Sequence, residues 1–490
     1  MGHREKPAAT PARSKEPNVE MTETKASRIE KDTMGEMEVP ADAYWGASTQ
    51  RAVLNFPISN LRYPPAFVHM LGRIKRAAAR TNTGLGLLDQ AVADSIEAAA
   101  NEVVDGQWDE HFVVDLFQTG SGTSTNTNAN EVIARRAREL TPGVNVHPND
   151  HVNMAQSSND VIPTASHLTA AEALNGELVP ALEQARAALA AKSEEFWGII
   201  KTGRTHLQDA TPIRLGQEFA GYASQLELSI ARLRPHVDAL CEVALGGTAV
   251  GTGINAHEEF AARTCVSLGE ELGLPVRETA HHFQAQGTQD TMLAASGAVR
   301  SAAVSLQKIA NDLRWLSSGP RAGLAELELP TVQPGSSIMP GKVNPVIPES
   351  VVQVVCQVIG NDAAVAAAAQ GGYLELNTYW PVAAYNLHQS ITLLASATAN
   401  FEEQCLRGIK ATSKGPDMVE QGLMMATGLT PAIGYDKATA IAKTAAAQGV
   451  TIRELAKTEA GLTDEQLEEL LDPARMTAPG IVEGASGGGG

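Results

Sequence analysis

Between Gly335 and Pro345 the chain reads Gly335-Ser336-Ser337-Ile338-Met339-Pro340-Gly341-Lys342-Val343-Asn344-Pro345, placing two hydroxyls, an ammonium and an amide within nine residues. Gly335 and Gly341 allow backbone angles that other residues resist, while Pro340 and Pro345 fix theirs. Such a stretch is neither a helix interior nor a central strand. It reads as a loop able to move, ending where a long helix starts after Pro345. Polar loops set in a helical scaffold are where chemistry concentrates. An ordinary turn between helices is the alternative.

Three other polar segments interrupt the chain. Gln118-Thr119-Gly120-Ser121-Gly122-Thr123-Ser124-Thr125-Asn126-Thr127-Asn128 is almost wholly small and polar, and a helix-like segment over 129–140 follows it. It reads either as a solvated linker or as an anion site, where hydroxyls and free N–H groups converge on a helix start. Ser157-Ser158-Asn159-Asp160, with Pro163 just beyond, is a helix-start signal. Gly203-Arg204-Thr205-His206-Leu207-Gln208-Asp209 precedes a helix that Pro212 is expected to help start. Together the four segments hold Ser, Thr, Asn, His and Lys. That inventory binds carboxylates and moves protons; it does not suit redox chemistry or phosphoryl transfer. Taken singly, His206 also fits a capping role and Lys342 a solvated one. His257, His281 and His282 lack a helical i, i+4 partner set and read as structural.

No cofactor and no metal is expected. Cys241, Cys265, Cys356 and Cys405 are scattered, with no CxxC pair, and read as buried free thiols. There is no HExxH and no Walker loop. Gly251-Thr252-Gly253-Ile254-Asn255-Ala256 matches a dinucleotide-binding pattern but lacks the strand that must precede it, so the match reads as coincidence.

The elements that must position these segments are long helices. Five are expected, over about 160–197 (bent at Pro180), 212–243, 289–318, 345–370 and 380–408. In the third, Val299, Ala303, Leu306, Ala310 and Leu313 recur at spacings of four and three, the seam of a bundle. Such helices run roughly 40–55 Å. Being Ala-rich, they are hard to bury within one subunit, which predicts an oligomer sharing a helical core. A chain of 490 residues suggests several domains. The expected division is a disordered extension over 1–27, an N-terminal domain over 28–156 of short helices and loops, a central bundle over 157–409, a small C-terminal helical domain over 410–483, and a flexible tail over 484–490. Met21 offers an alternative start. Hydrophobic residues make up 43% and aromatics only 4%, which favours closely packed helices. A net charge of −18 argues against nucleic acid or an anionic membrane as partner. No run of 18 apolar residues and no signal-peptide core is present, so a soluble, cytoplasmic protein is expected.

The 335–345 stretch resembles the signature of the fumarase/aspartase superfamily. The resemblance extends from about Arg28, through Trp45-Gly46-Ala47-Ser48-Thr49-Gln50-Arg51 and the other three segments, to Ile433-Gly434-Tyr435. Within the superfamily it is closest to the class II, metal-free fumarases. His206 carries that choice, since aspartases typically have Gln there; Ser158, Ser121-Gly122-Thr123 and Gly246-Gly247-Thr248 point the same way. Pro345-Val346-Ile347-Pro348-Glu349 and Ser317–Leu324 resemble aspartases equally, and Ser48 departs from the common Gln. Aspartate ammonia-lyase is therefore the alternative, followed by a non-catalytic structural member of the superfamily.

The resemblance implies a mainly α, three-domain fold in a homotetramer. Its core would take five helices per subunit, and each active site would draw on three subunits. It implies reversible addition of water to fumarate, giving L-malate through an aci-carboxylate, in the tricarboxylic acid cycle. Ser336 is implied as the carbon-side base. His206, paired with Glu349, would act on the oxygen side. Ser121, Gly122, Thr123, Ser157, Ser158, Asn159, Thr205, Ser337, Lys342, Val343 and Asn344 would bind the small dicarboxylate. His147-Pro148-Asn149-Asp150 matches a second anion site of the family, and otherwise reads as a capping turn.

Overall fold

The computed structural model describes residues 26–480. The alternative start at Met21 and the tail from residue 484 lie outside them, as does all but the end of the extension expected to be disordered. The last residue of that extension, Ser27, is described and opens a strand.

The chain begins with an antiparallel hairpin, β1 (Ser27–Asp32) and β2 (Gly35–Pro40). Helices α1 (Ala47–Asn55), α2 (Pro65–Gly84), α3 (Gln90–Val104) and α4 (Thr123–Leu140) follow. This N-terminal region is more regular than the short helices and loops expected. Pro65 occupies the first turn of α2, and Asp89 caps α3 by accepting from Ala91 N at 2.9 Å. Helix α4 starts six residues before the expected 129. Its Ser, Thr and Asn residues are weak helix formers, but distant partners hold them. Thr125 N donates to Gln118 Oε1 at 2.9 Å, and Asn128 spans Val113 N and the His111 carbonyl. Gly122 turns the chain into α4 with φ 72°, and a Cβ there would sit 2.8 Å from Ile162.

The long helices are α5 (Ser158–Ala173), α6 (Val179–Glu195), α7 (Leu215–Leu240), α10 (Asp290–Leu316), α11 (Val346–Ala369) and α12 (Trp380–Gln404), with the shorter α8 (Phe260–Leu272) and α9 (His282–Gly287) between α7 and α10. Helices α5 and α6 form the first expected long helix. They are joined by a wide turn over Leu174–Leu178 placed just before Pro180, whose missing N–H interrupts the ladder. The expected seam of α10 is buried along its whole length, Val299 through Leu313. These helices share one hydrophobic core with α2–α4.

The helix start expected at Pro212 fails. Between α6 and α7 lies a hairpin, β3 (Ile200–Thr205) and β4 (Gln208–Arg214), so Pro212 stands in a strand and the helix begins only at Leu215. Beyond Lys410, short helices build a second, smaller core from Val419 to Leu471. Two of them open with full capping boxes, Thr451 with Glu454 and Thr463 with Gln466.

Helix α11 is long and apolar enough to cross a membrane by length and composition. It packs instead between α10 and α12. Its uncovered face carries Cys356, Gly360, Ala363 and Ala367, small residues that let another helix approach closely.

Candidate active site

The four polar segments fall at the two ends of the bundle. At one end meet the starts of α4, α5, α10 and α12. Trp380 N donates to the Gly120 carbonyl at 3.1 Å, and Gln289 reaches Asn377 at 3.0 Å. Here Ser121 Oγ lies 2.7 Å from Thr123 Oγ1, which lies 2.7 Å from Ser158 Oγ. Two helix N-termini thus share a chain of hydroxyls. Ser157 caps α5 by accepting from Asn159 N at 3.2 Å, and Asn159 Nδ2 donates to the Ala249 carbonyl at 2.8 Å. Asp160 anchors the segment from beneath. Its carboxylate accepts from Ser157 N at 2.9 Å, Gly246 N at 3.1 Å and Thr248 N at 2.9 Å. Partial positive charge at both helix starts and several neutral donors suit a carboxylate.

The 335–345 loop lies at the opposite end, between the end of α10 and the start of α11. It is closed on itself: Gly335 N donates to the Lys342 carbonyl at 2.8 Å, and Asn344 Nδ2 to the Gly335 carbonyl at 2.7 Å. A Cβ at Gly335 would meet that Lys342 oxygen at 2.6 Å, so only glycine fits. Lys342 Nζ donates to Asn344 Oδ1 at 2.7 Å. Ser336 Oγ accepts two backbone N–H bonds, from Met339 at 2.9 Å and Ile338 at 3.2 Å. Donors aimed at a serine oxygen favour its ionised form. Ser337, Lys342 and Val343 are exposed. Part of the loop lines a cavity of about 620 Å³ together with Ser317, Pro320, Leu327 and Thr412.

His206 and Leu207 form the two-residue turn of the β3–β4 hairpin at this same end, with φ of 55° and 61°. Left-handed angles at both central residues match the twist of a tight hairpin but are costly for side chains as large as these. Thr205 and His206 stand exposed. Glu349, in the first turn of α11, faces Arg314 at 4.0 Å. Among the described residues no contact within one chain joins it to His206. Sequence reading passed over Glu326. Nearly fully buried, it takes Lys201 and Arg204 of the hairpin at 2.7 Å each and so fixes the base of the His206 turn. An acidic residue amid Leu324-Ala325 and Leu327 was the available signal.

At His147, the ring Nδ1 accepts from Asp150 N at 3.1 Å and Asn149 N at 3.3 Å, capping its own turn. Beside it opens a cavity of about 210 Å³ whose charged lining is Arg28, Lys31, Arg135 and Arg138 together with Glu30 and Glu131. The dinucleotide-like stretch at Gly251 is an irregular turn, preceded at a distance only by the two-residue strand Glu242–Val243, which is too short to open a βαβ unit. His282 bonds the Ala244 carbonyl at 2.9 Å and Glu278 at 3.0 Å, a structural role as expected. Cys241, Cys265 and Cys405 are buried; Cys356 is exposed in the single chain, unlike the expectation. Among the described residues no three His, Cys, Asp or Glu side chains converge as metal ligands.

The ends of the bundle are separated by the length of α10, 27 residues or roughly 40 Å. Within one chain, therefore, Thr123 and Ser158 cannot face the same small molecule as Ser336 and Lys342.

The chain resembles known proteins over most of its length. A family described as "Lyase" matches residues 35–360, and one described as "Fumarase C C-terminus" matches residues 425–478. A protein named fumarate hydratase class II from Halobacterium salinarum is 53% identical, covering 93% of this chain and 98% of that protein. Fumarate hydratase class II 2 from Bradyrhizobium diazoefficiens is 50% identical, with the same coverage. The crystal structure of recombinant class II fumarase from Schistosoma mansoni superposes with a TM-score of 0.90 at 39% identity, over 92% of this chain and 99% of that one.

Proposed function

The chain belongs to the class II fumarate hydratase family of lyases, and from that premise we propose that it catalyses reversible addition of water to fumarate, giving L-malate. The observation that carries the chemistry is the pair of backbone N–H donors on Ser336 Oγ.

In the malate direction the hard step is removal of a weakly acidic proton beside a carboxylate. Ser336, ionised with the help of those donors and of Lys342, takes that proton. The electron pair left on carbon spreads into the adjacent carboxylate as an aci form, whose charge meets Lys342 and Asn344 and the hydroxyls of Thr123 and Ser158. The C–O bond then breaks. His206 protonates the leaving hydroxide, so water departs and fumarate remains. Hydration runs the same steps backwards, with His206 drawing a proton from water. The glycines of the 335–345 loop let it close over substrate.

Because these groups occupy opposite ends of the bundle, one site must collect them from different chains. This supports a homotetramer whose sites are shared between three subunits, with the small-residue face of α11 inside the helical core. Glu349 would then meet His206 across a subunit boundary. The division into domains at 156 and 409 belongs to the same reading. So do a cytoplasmic, tricarboxylic-acid-cycle setting and an anion site beside His147, the last supported by the excess of four cationic side chains over two carboxylates in its cavity.

The test is ultraviolet absorbance of the fumarate double bond, with the purified protein and either L-malate or L-aspartate. Growth of the band with malate alone is expected. Growth with aspartate alone would make the protein an ammonia lyase, and silence with both would leave a structural protein.

A further inference from the structure

Lys75, on α2, and Asp160, on α5, are both completely buried, and neither reaches a surface where substrate could touch it. Buried charges are costly to keep, so their arrangement calls for a reason. They grip the two sides of one short segment. The Lys75 ammonium donates to Asn153 Oδ1 at 2.8 Å and to Gln156 Oε1 at 3.0 Å. Asn153 Oδ1 also accepts from Asn126 Nδ2 of α4 at 3.2 Å. Between the two acceptors Ala155 is held at φ 60°, a left-handed angle that a residue with a Cβ resists. Immediately after this strained turn come Ser157, Ser158 and Asn159. On their far side Asp160 draws in three backbone N–H groups, from Ser157 and from the 246–248 turn.

We propose that Lys75 and Asp160 are positioning residues that set the aim of the Ser157–Asn159 donors, and through Asn126 the start of α4 that carries Thr123, toward the substrate carboxylate. The inference rests on the hydratase reading above. A cation tied to side-chain carbonyls and an anion tied to backbone N–H groups fix the segment from both directions without entering the pocket. Burial pushes the Asp160 carboxyl up, to about 6, and the Lys75 ammonium down, to about 7. The N–H donors on Asp160 and the opposite charge across the pair pull each back toward its ionised form. The grip is thus strong only while both are charged.

Donors that bind the dianion before and during reaction control KM more than kcat. A residue needed only for folding lowers Tm and the active fraction, and leaves the KM of surviving molecules unchanged. The experiment is steady-state kinetics with L-malate on the full chain, comparing the unaltered protein with Lys75→Met, Asp160→Asn and Gln156→Ala. Each is checked for native oligomer size and Tm. The expected result is a KM raised at least about tenfold in Lys75→Met and Asp160→Asn, with kcat within about threefold of the parent. Gln156→Ala keeps both charges and removes one acceptor, and a smaller rise in KM is expected. Should the charge variants fail to fold, Gln156→Ala decides alone. An unchanged KM in folded variants overturns the proposal. An unaltered protein that does not turn over malate refutes the hydratase reading instead.

Discussion

The hydroxyls of Thr123 and Ser158 meet at 2.7 Å, although 35 residues separate them in sequence. Each sits in the first turn of its own helix, so one hydrogen bond joins two N-termini into a single surface of donors. The loop carrying Ser336 begins at the other end of helices that are roughly 40 Å long.

Replacing Ser336 by Ala removes the oxygen on which two backbone N–H groups converge. The expected loss is about 100-fold or more in kcat, with little change in KM. Steady-state rates with malate test this; a near-normal kcat would take Ser336 out of the base role.

Mixing two damaged chains should restore activity. Asn159→Asp puts a carboxylate where a dianion must bind, and Ser336→Ala removes the base, so each homo-oligomer should be close to inactive. Hybrids assembled from an equal mixture regain roughly a quarter of their sites if the two residues serve one site from different chains. Co-refolding the pair and measuring malate turnover gives the answer, and no recovery from verified hybrids argues against shared sites.

Glu326 holds two cations of the His206 hairpin in a nearly dry setting. Glu326→Gln leaves Arg204 without its counter-charge and Lys201 with Glu218 alone, at 2.9 Å, with an expected cost of about 3 kcal/mol. Denaturant unfolding measures it. In folded protein kcat should also fall, because the turn presenting His206 loses its base.

Thiol chemistry reports on assembly. Burial pushes Cys241 up to about 11, and Cys265 and Cys405 up to about 12, so none should react at pH 8 in the native fold. Cys356 lies on the uncovered face of α11. Labelling should find it silent in the assembled protein and reactive once subunits separate with their fold intact.

Burial pushes the His388 imidazole down to about 4. Its folded pKa is below the unfolded 6.5, so between those values the unfolded chain binds a proton that the folded one refuses. The stability His388 contributes is complete above 6.5 and is lost as pH falls toward 4. The drop in Tm from pH 7 to pH 5 should shrink in His388→Leu; an equal drop in both would show that His388 is not the sensor.

Much of this was legible in the sequence, and the exceptions have physical causes. The seam of α10 could be read because its apolar residues repeat with the helix and all face one core. The β3–β4 hairpin could not, because its turn is His206-Leu207 instead of the Asn-Gly that normally announces left-handed angles. Nor could the true start of α4, whose weak helix formers are held by side chains far along the chain. The four polar segments stood out as chemistry because they interrupt a helical pattern. What stays invisible in one dimension is which end of the bundle each occupies. Lys75 left a fainter trace: it stands four residues after Leu71 and three before Ala78, on the buried face of α2 where a lysine is out of place.

The two-ended layout of the chain reaches into inheritance. In the shared-site assembly proposed above, a fault encoded by one allele does not stay with its own product. It enters the mixed assemblies and silences sites to which sound copies also contribute. Conversely, two alleles faulty at opposite ends can cover for each other. Dominance and complementation in such a gene are then set by which end of the bundle a mutation strikes.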